Sequence, residues 1–198
     1  MELDANGHHQ ASGRESDPAI PQENGLYSFR NEHDACGVGL IAHIDNRPEH
    51  RIIEKGVSIL KRLMHRGAAG NDPFTGDGAG ILTVIPDGFF RKAVDFELPP
   101  AGRYAVAMVF GGVGHEAAME EIFTSEGGRV LGCRTVPTFP EFIGEKAREG
   151  CPVIRQWFID GSAFASEDEW ERKVFVMRRL AEKRVPDVYF PSFSSRSI

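Results

Sequence analysis

Apolar residues in this chain come in short runs of strand length, separated by segments with helical spacing, and that alternation restricts the chain to a layered fold. The runs are GVGLIAHI (37–44), ILTVIP (81–86), YAVAMVF (104–110), RVLGCRTV (129–136), PVIRQWFID (152–160) and DVYFPSFSSRSI (187–198). Each reads as a strand. Between them, Ile52, Ile53, Val57, Leu60, Leu63 and Met64 recur at spacings of three, four and seven. That predicts an amphipathic helix ending near His65, with Gly67 as its stop. DGFFRKAV (87–94) predicts a short helix, and HEAAMEEIFTSEG (115–127) one closed by Gly127. A long helix follows Ser166, which is a good N-cap, with Glu169 completing a capping box and acids filling the first turn. The pattern is that of an α/β or α+β domain. It does not separate parallel from antiparallel strands.

A chain of 198 residues with 41% apolar content suits one domain, or one domain and a tail. Residues 1–26 mix Gly, Ser, Pro, Asn and charges and are expected to be loosely attached, with order beginning near Gly25–Phe29. The formal charge is -6 with no long basic run, which argues against nucleic acid and against an anionic membrane surface as partners. No stretch of eighteen apolar residues predicts a membrane span, and the N-terminus has no secretory signal. The three cysteines, Cys36, Cys133 and Cys151, form neither a disulfide framework nor closely spaced metal-ligand pairs. The expected compartment is reducing, the cytoplasm, and no metal site is expected.

Cys36 stands where the polar leader gives way to the first apolar run, in ACGVGL. Three readings compete. A single free cysteine is most often a buried core residue. GVGLIA also matches G-x-G-x-x-A, but the dinucleotide fingerprint needs a strand before it and a helix after it, and here the context is inverted. The third reading is a nucleophile. The second stretch of interest is HRGAAGNDPFTGDGAGIL (65–82). Its glycines could cradle a phosphate on backbone N–H groups, but no Gly-Lys-Ser/Thr follows. A tight helix-to-strand connection explains it equally well, and Arg66 would then cap the last carbonyls of the helix.

Taken together, DACGVGLIAHI and LMHRGAAGNDPFTGDGAGILTVIPDGFF closely resemble the start of the glutaminase domain of glutamate synthase large subunits, a class II, N-terminal-nucleophile glutamine amidotransferase. LPPAGRYAVAMVF, CPVIRQWFI and FPSFSSRSI follow in the same order, so the resemblance covers residues 27–198. GGVG (111–114) is shorter and richer in glycine than the family pattern and reads as loop variation.

The resemblance implies an α+β fold, the N-terminal-nucleophile αββα sandwich, incomplete at its C-terminal end. It implies a leader or propeptide over 1–35 and the N-terminal part of the amidotransferase domain over 36–198. Carried over residue by residue, it makes Cys36 the nucleophile. Arg66 and Gly67 are the pair beside it, with Arg66 orienting the Cys36 end of the chain. Asp77 and Gly78 fall in the matching TGDGAG, where Asp77 supports the loop or holds the Cys36 amine. His33 and Asp34 would assist cleavage. Cys133 and Cys151 are read as core thiols, and His65 as structural. The implied substrate is L-glutamine. The implied partners are a synthase domain or subunit and a small electron-donor subunit or ferredoxin. FMN and an iron–sulfur cluster are implied for the full-length enzyme and none for this segment. The family's Asn-Gly oxyanion pair is missing after Cys36: Asn-Gly occurs only at Asn6-Gly7 and Asn24-Gly25. The main glutamine-binding residues are therefore expected beyond residue 198. Two alternatives remain: a stand-alone amidotransferase subunit, and a non-catalytic regulatory relative.

Overall fold

The computed structural model describes residues 37–45, 47–66, 74–76 and 78–198, with the backbone alone at His65 and Arg66. Its centre is a four-stranded sheet. The strands are β1 (Tyr104–Gly111), β2 (Arg129–Thr135), β3 (Ile154–Asp160) and β4 (Val188–Ser194), in the order β2-β3-β1-β4. All three pairings are antiparallel. This settles what the apolar pattern left open, and the architecture is α+β. Pro191 lies in β4, an edge strand, within a register shift between Met108 and Phe110. An edge strand tolerates the missing N–H of proline.

Side chains alternate across β1, so its two faces build two cores. Ala105, Ala107 and Val109 pack with Trp157 and Ile159 beneath α3 (Glu116–Ser125) and α5 (Glu167–Arg184). Those helices contribute Met119, Ile122 and Phe123, and Trp170, Val174, Met177 and Ala181. On the other face Tyr104, Val106 and Phe158 meet Phe90 of α2 (Asp87–Ala93) and Leu98. This second cover is partial: Met108 and Phe110 are half-buried, and Tyr189 is exposed.

The local signals for α5 operate as expected. Ser166 Oγ accepts the Glu169 N–H at 3.2 Å, and the Glu169 carboxylate returns to the N–H of Ala165 at 3.1 Å, one residue before the cap. Gly127 (φ 91°) follows α3 as the stop. Glu171 of α5 ties down the exit of β4 by accepting from the Ser195 N–H at 2.6 Å and from the Ser194 hydroxyl. A short helix α4 (Glu145–Glu149) and a 3-10 turn over Pro140–Phe142 were not read from the sequence.

Two expected strands differ. Residues 37–43 have no regular secondary structure and pair with no strand among the described residues. Of the run 81–86, only 83–85 make a ladder: Thr83 and Ile198 exchange both N–H···O bonds at 2.9 Å, Ile85 N–H donates to Arg196 O, and Val84 faces Ser197. A strand is completed by its neighbours. Among the described residues these segments find a three-residue partner or none. The same shortage shows in α1 (His50–Arg62), which has the predicted apolar stripe yet no fully buried residue.

Candidate active site

The elements carrying the predicted site residues are the segment from Gly37, helix α1 with the 3-10 turn Leu63–Arg66 that extends it, and the loop leading to Gly80. Gly37 faces Leu63: a Cβ placed on Gly37 would lie 2.9 Å from Leu63 Cδ2. Gly39 faces Ile59 still more closely, and a Cβ there would overlap Ile59 Cγ2. One turn earlier along the same face, a Cβ on Gly56 would come within 2.7 Å of Ile81 Cδ1. Helix α1 thus holds the segment that follows Cys36 and the segment that follows the glycine-rich loop. Its C-terminal N–H at Leu63 donates to Ile59 O and Leu60 O, carrying the chain into the turn that closes at Arg66.

Cys36, Gly67 and Asp77 lie outside the described residues, as do His33, Asp34 and the leader 1–35. Arg66 ends the 3-10 turn. Gly78 is exposed, and a Cβ there would meet nothing within 4 Å among the described residues, so no steric demand explains its glycine. The Phe74 carbonyl accepts the Gly144 N–H at 3.3 Å.

Cys133 and Cys151, expected as core thiols, are instead free and exposed. Desolvation pushes the Cys133 thiol above its ordinary range, against the pull of Arg155. A raised thiol carries little thiolate and is a poor nucleophile. Among the described residues no cluster of His, Cys, Asp and Glu could hold a metal ion. The described residues do not fit an iron–sulfur cluster. No helix among them is long and apolar enough to cross a membrane.

GGVG has a structural cause. Gly111, Gly112 and Gly114 have φ of 76°, 63° and 82°. Arg155 spans the turn, pairing with Glu116 and donating to Gly112 O at 3.1 Å. Sequence reasoning missed the seat of Gly37 and Gly39 on α1. Its only signal was two glycines two apart opposite apolar helix residues four apart.

The profile of the family described as glutamine amidotransferases class-II matches residues 36–198. The chain belongs to that family. Among curated relatives it is 42% identical over 191 residues to the glutamate synthase [NADPH] large chain of Bacillus subtilis (strain 168), covering 90% of this chain and 13% of the relative. It is 38% identical to the corresponding large chain of Azospirillum brasilense (87% and 12% covered). It is 36% identical to ferredoxin-dependent glutamate synthase 1, chloroplastic/mitochondrial, of Arabidopsis thaliana (90% and 12% covered). The chain spans about an eighth of the length of these relatives.

Proposed function

We propose that this chain is the N-terminal part of the glutaminase domain of a glutamate synthase, and that Cys36 becomes its first residue by cleavage of Ala35–Cys36. The observation that supports this most directly is that the amidotransferase match begins at Cys36 and leaves residues 1–35 outside it.

A free thiol has a pKa near 8.5 and needs a base at neutral pH, whereas a freed α-amine has a pKa of about 7.7–8.0. Cleavage supplies that base on the same residue. The Cys36 amine takes the Sγ proton as Sγ bonds to the side-chain carbonyl carbon of L-glutamine. The C–N bond then breaks, ammonia leaves with the transferred proton, and a γ-glutamyl thioester remains. Water hydrolyses the thioester to glutamate and restores the thiol. In the precursor the same nitrogen is an amide, cannot accept the proton, and leaves Cys36 idle. Arg66, paired with Gly67, orients the Cys36 end of the chain, and Asp77 with Gly78 supports the loop or holds the Cys36 amine.

The ammonia passes to a synthase domain that forms glutamate from 2-oxoglutarate, in a cytoplasmic enzyme that takes electrons from a small subunit or ferredoxin. FMN and an iron–sulfur cluster supply that redox chemistry when bound elsewhere in the longer polypeptide. The test is intact mass and N-terminal sequencing of the full gene product, with glutamine turnover measured alongside. A mature chain starting at Cys36 is expected. A chain that keeps Met1 and still hydrolyses glutamine would overturn the mechanism.

A further inference from the structure

We infer that Gly37 and Gly39, seated on Leu63 and Ile59, are positioning residues that hold the chain adjoining Cys36 against the C-terminal end of α1. The inference rests on the assignment of Cys36 as nucleophile. Helix residues four apart are separated by about 6 Å along the axis. Gly37 and Gly39 meet Leu63 and Ile59, side chains about one helical turn apart. The opposite side of the segment carries Val38 and Leu40, which are 92% and 90% exposed. Only the glycine side touches the helix, and only without Cβ atoms does the backbone come this close.

The two contacts differ in stiffness. Leu63 meets Gly37 with the end of a flexible side chain. Ile59 meets Gly39 with Cγ2, and a β-branched side chain in a helix is held to essentially one χ1 rotamer, so this methyl cannot swing away. The seat lies one residue after Cys36 and begins the turn that ends at Arg66. A methyl group added at residue 39 pushes the nucleophile segment off the helix while leaving the sheet and its cores untouched. A displacement of about 1 Å in a reacting group costs about 100-fold in rate.

The experiment uses the full-length polypeptide. Gly39→Ala is expected to lower kcat for glutamine hydrolysis about 100-fold, with KM little changed and a cooperative thermal transition retained. Adding Ile59→Ala removes Cγ2 and is expected to restore most of kcat. Adding Ile59→Val keeps both γ-carbons and is expected not to. Unchanged kcat in Gly39→Ala, a loss confined to KM, or equal behaviour of the two Ile59 variants would overturn the inference. If Gly39→Ala does not fold, Leu63→Ala reads the same seat with the glycines intact, and a folded Leu63→Ala protein at full kcat overturns it. Cys36→Ala separates the two claims. Full turnover in that variant sinks the nucleophile assignment and the seat together. A dead Cys36→Ala beside a fully active Gly39→Ala sinks only the seat.

Discussion

Glu116 shows how one charge can hold a corner of the fold. Hydrogen bonding from Arg155 chiefly, helped by the N–H groups of Glu116 and Gly114, draws its carboxyl down to about 2 from an ordinary 4.5. A carboxyl whose folded pKa is depressed binds its proton more readily in the unfolded chain. Its contribution is therefore complete above about 4.5 and is lost as pH falls toward 2. Glu116→Gln is expected to flatten the melting temperature between those pH values, read by thermal unfolding against pH. An unaltered acid limb would mean that other carboxylates dominate. At the same corner a Cβ on Gly111 would overlap the carbonyl oxygen of Asp187, in a backbone with φ of 76°. Gly111→Ala is expected to cost about 1–3 kcal/mol, measured by denaturant unfolding. For Cys36, the proposed base makes kcat/KM for glutamine rise as pH passes about 7.7–8.0, the range of an α-amine. A pH profile flat through that range would point to a different base.

Among the elements, α5 and α1 stand at opposite ends. Helix α5 has an N-cap, a reciprocal carboxylate and four buried residues, Trp170, Val174, Met177 and Ala181. Ser166→Ala removes one accepted N–H, an expected loss of about 1 kcal/mol, or about 2–4 °C in melting temperature for a domain of this size. Its apolar spacing and its start were legible because both depend on residues within one or two turns. Helix α1 was equally legible as a helix, but its spacing says nothing of what covers it. Among the described residues, backbone at Gly37 and Gly39 and the Ile81 side chain lie against it. The runs 37–44 and 81–86 were misread as full strands for a related reason. Apolar content marks a segment able to pair, and pairing is decided by a neighbour distant in sequence.

For the whole molecule, the exposed apolar side chains Val38, Leu40, Leu82, Val84 and Tyr189 define surfaces that further chain or a partner would cover. The chain 1–198 on its own is expected to bind a hydrophobic dye and to self-associate, measured by fluorescence and light scattering. A monodisperse, dye-silent protein would show those surfaces covered. Without an Asn-Gly oxyanion pair after Cys36, glutamine turnover by this chain alone is expected to fall about 10²–10³ below that of a longer polypeptide, measured as glutamate released. The family was legible from Cys36 and the HRGAAGNDPFTGDGAGIL string, because a catalytic apparatus constrains contiguous residues. The sequence by itself determined helices α1, α2, α3 and α5, the Gly127 stop and the Ser166 cap, the four strands of the sheet and the candidate nucleophile, since each depends on short-range spacing or on a local motif, whereas it carried no sign of the short α4. Only the tertiary structure decided the antiparallel order β2-β3-β1-β4, the surface positions of Cys133 and Cys151, and the seating of Gly37 and Gly39 on α1. These depend on contacts between residues far apart in the chain, and local spacing carries no record of which distant segment will arrive.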